Sequence, residues 1–199
     1  RGNFFIPDSR KGWNNFAYKK AVEILEKENI DTVITTSPPH STQLIGLKLK
    51  ETQNIKWIAD LRDPWTDIYY YKSMLHTKWA KQKDLNYEKR VIEKSDKVVV
   101  VSDSIKQLLL NKSNLVKESK IHIIPNGFDE DDFLVSSKNN NSKFLLSYVG
   151  TITKDYPLDS IKKSISNLNI NLEFTGKADE PTKLLLNEVA SFNNHVKHK

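Results

Sequence analysis

The sequence predicts an open, doubly wound α/β sheet whose strands run parallel. Short apolar or β-branched runs alternate along the chain with longer segments of helical periodicity, which is the pattern of a parallel sheet covered by helices. One of the short runs, Val98 to Val101, has no polar alternation, as is typical of a strand buried on both faces.

The first helix and strand have clear signals. Apolar residues recur at helical spacing over 14–28 with charges between them, which predicts an amphipathic helix. The β-branched run 32–36 predicts a strand. Pro38 and Pro39 follow it and end it, because proline donates no backbone hydrogen bond.

The same alternation continues along the chain to residue 124. Helical periodicity predicts three further helices, over about 42–53, 73–94 and 103–113. Apolar runs predict three further strands, at 56–59, 98–101 and 121–124.

The periodicity lapses from Asn126 to Ser142, where an acidic cluster and a run of asparagines follow a glycine. We therefore predict a first Rossmann-like domain over 1–130, a linker over 131–142 and a second domain over 143–199.

In the second domain the same signals predict two strands, at about 144–149 and 170–175, and two helices, at about 158–168 and 180–193. A third strand is expected to start near His195. Two strands bury too little surface for a stable domain, so we expect a partial second domain. We also expect the first domain to lack its first strand.

The composition is that of a globular protein, with 38% hydrophobic and 28% charged residues. No apolar run approaches the roughly 20 residues of a membrane span, and no export signal is visible at the start, so we expect a cytoplasmic protein. The absence of cysteine excludes a disulfide scaffold and thiolate metal sites, and we expect neither a metal nor a cofactor.

The net charge of +6 comes from lysines that are interleaved with glutamates along helical segments. This pattern argues against nucleic-acid binding. It leaves open a peripheral contact with an anionic membrane, at the inner face of the plasma membrane.

Ligands of such sheets bind outside the carboxyl ends of the strands, so the segments that directly follow strands are candidates for chemistry. Four of them are rich in polar residues: 37–41, 60–65, 102–104 and 125–129.

The second segment places Asp60, Arg62 and Asp63 on one loop. Two carboxylates and a fixed cation are suited to orienting the hydroxyls and the phosphate of a ligand. The structural alternative is that Asp63 caps a short helix beginning at Pro64 and that Arg62 pairs with an aspartate.

In the first segment, His40 is a candidate general base or hydroxyl binder. The alternative is a turn between strand and helix in which Ser41 is the N-cap. Ser102 likewise opens a helix, where it either presents backbone amides to an anion or simply caps the helix.

Two further candidates lie outside these loops or at their edge. Gly127, after Asn126, is expected to supply a positive φ for a ligand or a turn. Arg10 lies in a basic opening loop with Trp13, which either meets a phosphorylated acceptor or is a solvated surface loop.

Taken in order, with Gly150 closing the first strand beyond the boundary, these segments resemble bacterial glycosyltransferase family 4 from about Asn3 to Gly176. The resemblance implies a GT-B fold, with two Rossmann-like domains facing across a cleft. It implies retaining transfer of a sugar from a UDP- or GDP-sugar to an envelope polysaccharide or a lipid-linked acceptor, with nothing to fix which.

With this resemblance, the site residues fall into three groups. We expect catalytic roles for Asp60, Arg62, Asp63 and His40. We expect substrate binding by Ser37, Ser41, Arg10, Ser102, Asn126 and Gly127. We expect donor binding by Gly150, Thr151, Lys154 and Gly176.

The donor loop departs from the family pattern. An arginine usually follows the glycine, and a lysine or arginine comes a few residues later, whereas here Thr151 and Tyr156 take these places and Lys154 lies two positions early. This departure keeps open a non-catalytic scaffold with the same fold. We expect the 199 residues alone to be inactive. A third hypothesis is a phosphate-binding or nucleic-acid-binding α/β domain.

Overall fold

The computed structural model describes residues 3–133, 144–153, 156, 158–165, 168, 170–192 and 196–198. The chain divides into two compact units, Arg1–Phe128 and Asp129–Lys199.

The first unit is a four-stranded parallel sheet with helices between its strands. Its strands are β1 (Thr32–Ser37), β2 (Lys56–Leu61), β3 (Lys97–Val100) and β4 (Ile121–Ile123), and its helices are α1 (Asn14–Lys27), α2 (Ser41–Thr52), α3 (Lys78–Lys94) and α4 (Asp103–Leu110). The strand order is β1-β2-β3-β4, and every pair is parallel. The predicted α/β class is confirmed.

The register aligns the strand ends on which the site depends. Ser37 at the end of β1 pairs with Leu61 at the end of β2, and Leu61 pairs with Val100 at the end of β3. The loops after these strands therefore leave the sheet along one edge.

Three apolar clusters lie in this unit, one of which packs α1 on α2 beside β1, and the other two hold α2, α3 and α4 on the sheet. One joins β2, β3 and β4 to α3 and α4 around Val98 and Val100, which are fully buried. Val99 is half-buried, so both faces of β3 are covered to some degree, as the valine run predicts. The other cluster packs α2 and α3 on the side chain of Trp57, which is also fully buried.

The long third helix differs from its prediction over 73–94. The structure has a 3-10 turn at Tyr69–Ser73, and α3 begins only at Lys78. The Thr77 side chain accepts a hydrogen bond from the Ala80 amide (3.2 Å), so a threonine cap sets the start of the helix. The short helix considered at Pro64 is also absent, so Asp63 caps no helix there.

The second unit is a three-stranded parallel sheet of order β5-β6-β7, with β5 at Phe144–Val149, β6 at Ile170–Thr175, β7 at Val196–His198, α5 at Leu158–Ile165 and α6 at Glu180–Phe192. The third strand expected to start near His195 is confirmed as β7, in which Val196 pairs with Leu172. His195 and most of the predicted linker lie outside the described residues.

Candidate functional site

Arg62 joins three of the polar segments at the carboxyl edge of the first sheet. Its backbone amide donates to the Ser37 carbonyl (3.1 Å), which ties the loop after β2 to the end of β1. Its guanidinium donates from Nε to Asp60 Oδ2 (3.1 Å) and from Nη1 to Asn126 Oδ1. The structure thus brings together three segments that are far apart in the chain.

Asp60 is the buried member of this arrangement. The residue is buried, its Oδ2 receives the Arg62 guanidinium, and its Oδ1 has no hydrogen-bond partner among the described residues. A buried carboxylate oxygen without a donor is costly, which marks this place as functional or strained. The pairing of Arg62 with an aspartate was one of the two hypotheses, and the structure shows that pair.

A buried amide fixes the ends of β1 and β2. Gln43 Nε2 lies 2.9 Å from the Asp60 carbonyl, 3.0 Å from the Thr35 carbonyl and 3.0 Å from Ser37 Oγ, while its Oε1 accepts from Thr35 Oγ1 (2.6 Å). Ser37 is fully buried within this network. No strand-end pattern in the sequence selects Gln43, because it lies inside a helix.

The start of α2 is capped by a distant carboxylate. Asp8 accepts from the Ser41 amide (2.7 Å), the Ser41 hydroxyl (2.8 Å) and the Arg10 amide (2.9 Å). His40 occupies the N-cap position and makes no side-chain cap bond, so the expectation that Ser41 is the N-cap is corrected. Asp8 was left without a role because its partner is 33 residues away.

His40 stacks on Trp65 with ring centroids 4.8 Å apart and planes 9° from parallel. Burial lowers the pKa of His40 to about 4, although the carboxylates of Asp8 and Asp63 oppose the shift. The imidazole is therefore neutral at physiological pH and able to accept a proton, but a pKa this far below 7 makes it a weak base.

A cavity of about 230 Å³ opens beside this stacked pair. Four of its eleven lining residues are aromatic, prolines form the side next to β1, and Asp8 and Asp84 supply carboxylates. The aromatic residues are His40, Trp65, Tyr70 and Tyr71. Such a pocket, mostly apolar with a few convergent polar groups, is the usual form of a small-molecule site.

Asp84 orients two of these rings. One carboxylate oxygen accepts from Trp65 Nε1 (2.8 Å) and the other from the Tyr71 hydroxyl (2.9 Å). Burial raises the pKa of Asp84, and burial together with the neighbouring Asp84 carboxylate raises the pKa of Tyr71. The tyrosine is therefore a neutral donor that holds the carboxylate in place.

A second buried acid on α3 holds the loop that carries Trp65. Glu88 is fully buried and receives the Lys112 ammonium on Oε2 (2.8 Å), and the same ammonium reaches Asp67 (2.5 Å) and the Thr66 hydroxyl (2.7 Å). Burial raises the pKa of Glu88, and Lys112 opposes that shift. Asp84 and Glu88 are spaced i, i+4, on the same helix face as the buried Ala80 and Val91. Acidic residues on an apolar helix face are the sequence signal that could have identified this pair.

The sequence model described as Glycosyltransferase Family 4 matches residues 1–132 of the chain. The chain belongs to glycosyltransferase family 4. No curated protein sequence matches it significantly.

Solved structures are similar to this family 4 chain at low sequence identity. HepE from Anabaena in complex with UDP and glucose has a TM-score of 0.56 and 12% identity over 91% of this chain and 50% of its own. The same protein in complex with UDP-glucose has a TM-score of 0.55 and 13% identity over 92% and 50%. The apo lipopolysaccharide outer core galactosyltransferase WaaB has a TM-score of 0.47 and 15% identity over 79% and 48%.

The predicted GT-B-like, Rossmann-like fold is confirmed by the HepE comparison. The chain spans about half the length of these structures.

On the donor side of the family 4 pattern, Gly150 and Gly176 follow the ends of β5 and β6 with φ values of 148° and 142°, which side chains disfavour. A Cβ atom on Gly176 would overlap the Gly150 carbonyl oxygen. Thr151 is exposed, and its carbonyl accepts from the Tyr148 hydroxyl (3.1 Å). Lys154 lies outside the described residues.

Three further candidates, Ser102, Gly127 and Arg10, lie in turns or at a helix start. Ser102 caps α4 through Oγ, which accepts from the Ile105 amide (3.3 Å), as its structural alternative predicted. Gly127 does not have a positive φ, and the space around it is open. The prediction that this position needs a glycine for its backbone conformation is therefore wrong. Arg10 is exposed in a 3-10 turn at Ser9–Trp13. The ligand roles of all these residues stay predictions.

Among the described residues, no helix combines the length and the apolar character that crossing a bilayer requires. In the same part of the chain, no three histidine or acidic side chains converge as metal ligands would.

Proposed function

We propose that this family 4 chain supplies the acceptor side of a retaining glycosyltransferase. The whole protein would move a sugar from a UDP- or GDP-sugar to a hydroxyl of a saccharide or lipid-linked acceptor, in the cytoplasm, during assembly of an envelope polysaccharide. The observation that carries the proposal is the aromatic cavity at the carboxyl edge of the first sheet, with the neutral, stacked His40 in its wall.

The cavity suits a sugar ring because it offers both kinds of contact that a sugar needs. The C–H face of a pyranose packs on an exposed aromatic ring such as that of Tyr70, and its hydroxyls bond to carboxylates. Asp63 is half-exposed and lies close enough to His40 and Tyr70 to act on their pKa values electrostatically. We therefore propose Asp63 as a carboxylate partner for an acceptor hydroxyl.

In the proposed reaction the acceptor hydroxyl oxygen bonds to the anomeric carbon of the donor sugar. The bond from that carbon to the donor phosphate oxygen breaks, and its electron pair leaves with the nucleoside diphosphate. The hydroxyl proton passes to a base, for which the neutral His40 is the candidate in this half of the cleft.

Arg62 has the role of an oriented cation at the edge of the site. Because Asp60 and Asn126 hold two of its nitrogens, the guanidinium is positioned before any ligand binds. A preorganised cation stabilises the negative charge that grows on the leaving diphosphate.

Donor binding is proposed for the loops after β5 and β6, with Gly150, Thr151, Lys154 and Gly176. The two glycines let these loops pass close to each other, since a Cβ atom on Gly176 would overlap the Gly150 carbonyl oxygen. HepE, whose structures contain UDP with glucose and UDP-glucose, supports a UDP-sugar as the first donor to test.

A non-catalytic scaffold is the second candidate, because Thr151 stands where the family usually has an arginine. The two hypotheses predict different turnover for the wild type and for variants of the Arg62 loop. A scaffold has no turnover with any donor, whereas the enzyme loses turnover when this loop is changed.

The test is release of nucleoside diphosphate by the whole protein from a panel of UDP- and GDP-sugars with saccharide and lipid-linked acceptors. Arg62→Ala and Asp60→Ala should each lower kcat/KM at least tenfold, about 1.4 kcal/mol of transition-state stabilisation, while circular dichroism stays unchanged. NMR of the product's anomeric proton tests retention.

Arg90→Ala is the matched control, because Arg90 also pairs with a carboxylate, Glu51 (2.6 Å), but on α3. It should leave kcat/KM unchanged. No turnover with any donor and acceptor pair would leave the scaffold as the better hypothesis.

A further inference from the structure

The segment 69–83 exposes several large apolar side chains. Leu75 is 93% exposed and Trp79 63%, and Tyr69 and Met74 are also exposed. The N-terminal Phe4, 87% exposed, belongs to the same area, because the Asn3 side chain bonds to the Leu75 carbonyl (3.2 Å) and the Thr77 amide (2.7 Å). We call residues 3–5 and 69–83 the apolar–basic surface.

Within the segment 69–83 the charges beside these apolar groups are all positive, and the half-exposed Asp63 lies near Tyr70 at its start. The segment 69–83 contains four lysines and no acidic residue. Lys72, Lys78 and Lys81 are exposed, and the Lys83 ammonium lies 4.6 Å from the centre of the Trp79 ring. The first acid after the segment, Asp84, is buried and already bonded to Trp65 and Tyr71, so it does not offset the charge at the surface.

We propose that the apolar–basic surface binds the surface of an anionic bilayer. Leucine, phenylalanine and tryptophan enter the boundary between headgroups and acyl chains, and lysines around them reach anionic headgroups. The lysines favour an anionic membrane over a neutral one, because each lysine near an anionic surface strengthens binding roughly fivefold. A nucleic acid would use the lysines but would leave Leu75 and Phe4 in water.

The surface is continuous with the cavity. Tyr70 and Met74 line the cavity and lie within the apolar–basic surface. On the proposed function, this continuity lets a lipid-linked acceptor reach the cavity from the membrane plane. Membrane binding itself does not depend on that function.

The direct test is cosedimentation of the protein with vesicles of phosphatidylcholine alone and of phosphatidylcholine with 30 mol% phosphatidylglycerol. We expect partitioning to the anionic vesicles at least tenfold stronger than to the neutral ones, falling at high salt because exposed charges are screened. This measurement needs no donor or acceptor, so it stands apart from any failure of glycosyl transfer.

Two sets of variants separate the apolar from the basic contribution. Leu75→Ser with Trp79→Ser should lower partitioning at least tenfold, and Leu115→Ser, a similarly exposed leucine (78%) outside the surface, should leave it unchanged. The triple variant of Lys72, Lys78 and Lys81 to Gln should lower partitioning by roughly two orders of magnitude. The same change at three exposed lysines near the amino ends of the strands, Lys56, Lys94 and Lys117, is its matched control.

A spectroscopic measurement locates the contact. Trp57 and Trp65 are buried, and Trp13 is exposed outside the surface, so in Trp13→Phe the fluorescence accessible from lipid comes from Trp79. Brominated lipids should quench this fluorescence in anionic vesicles. The quenching should disappear in Trp79→Phe.

Equal partitioning of the surface variants and their controls would overturn the proposal, as would binding to RNA with none to vesicles. Circular dichroism of each variant shows whether a loss reflects unfolding. All the substituted side chains are exposed, so we expect the fold to survive.

Discussion

Asp8 caps helix α2 from 33 residues away, with Oδ2 accepting from the Ser41 amide at 2.7 Å and Oδ1 from the Ser41 hydroxyl at 2.8 Å. The same carboxylate lines the cavity next to His40. One side chain thus fixes both the start of the helix and one wall of the candidate site.

Replacing this cap should be costly. We expect Asp8→Ala to lower the free energy of unfolding of the first unit by about 1–2 kcal/mol, since two amides lose their acceptor near a helix start. Urea unfolding followed by tryptophan fluorescence measures it, because all four tryptophans lie in this unit. Asp103→Ala, at the first turn of α4 where Ser102 already caps, is the control and should cost only a few tenths of a kcal/mol. Equal losses in the two variants would contradict the cap.

The buried His40 should make the stability of the first unit depend on pH. Its folded pKa of about 4 is below the ordinary value of 6.5, so the unfolded chain takes up the proton first as the pH falls. The stability that is fully present above pH 6.5 is therefore lost between pH 6.5 and pH 4.

His40→Phe keeps a ring over Trp65 and removes this titration. Between pH 7 and pH 4.5 the wild type should lose about 2 kcal/mol relative to the variant. Asp84 and Glu88, whose pKa values are raised by burial, act with the opposite sign, but they are present in both proteins and cancel in the difference. A difference that stays constant with pH would show that His40 does not resist protonation.

Gly46 lies on α2 against the buried indole of Trp57, and a Cβ atom there would overlap that ring. Although alanine favours a helix over glycine, Gly46→Ala should lower the free energy of unfolding by about 1–3 kcal/mol, because the overlap displaces Trp57 and its bond to the Thr35 hydroxyl. Gly12→Ala, where nothing lies within 4 Å, is the control and should change it by less than about 0.5 kcal/mol. Thermal unfolding compares the two, and a stabilising Gly46→Ala would refute the close packing.

The Lys112 ammonium neutralises the fully buried carboxylate of Glu88. Lys112→Met should lower the free energy of unfolding by about 3 kcal/mol at pH 7, because it leaves a buried charge unpaired. The pKa of Glu88 then rises further above its unfolded value, so the stability loss is largest at high pH and shrinks as the pH falls toward the unfolded pKa.

Lys106→Met is the matched control for this pair. Lys106 is as covered as Lys112, with 15% and 13% of the side chain exposed, but its partner Glu118 is 72% exposed. The loss should therefore stay below about 1 kcal/mol and vary little with pH. Urea unfolding at pH 5 and pH 7.5 checks both variants, and a loss at Lys112 that does not shrink at pH 5 would contradict the role given to Glu88.

Local patterns in the sequence were enough to predict the alternation of strands and helices, the parallel sheet and the polar loops at its carboxyl edge. Strand and helix periodicity depends on near neighbours, and the edge rule follows from parallel strands. The pattern therefore placed His40, Asp60 and Arg62 in one area. It was less accurate where a single side chain sets a boundary, as Thr77 does for α3.

The sequence by itself determined the α/β class, the motifs of glycosyltransferase family 4 and the departure at Thr151, because each is carried by residue type and order along the chain. Only the tertiary structure decided which side chains build the site. Three of its hydrogen bonds join residues that are 33, 17 and 19 positions apart: Asp8 with Ser41, Gln43 with Asp60, and Asp84 with Trp65. One sequence contains no signal for such pairs, since a hydrogen bond between distant residues depends on how the helices pack on the sheet.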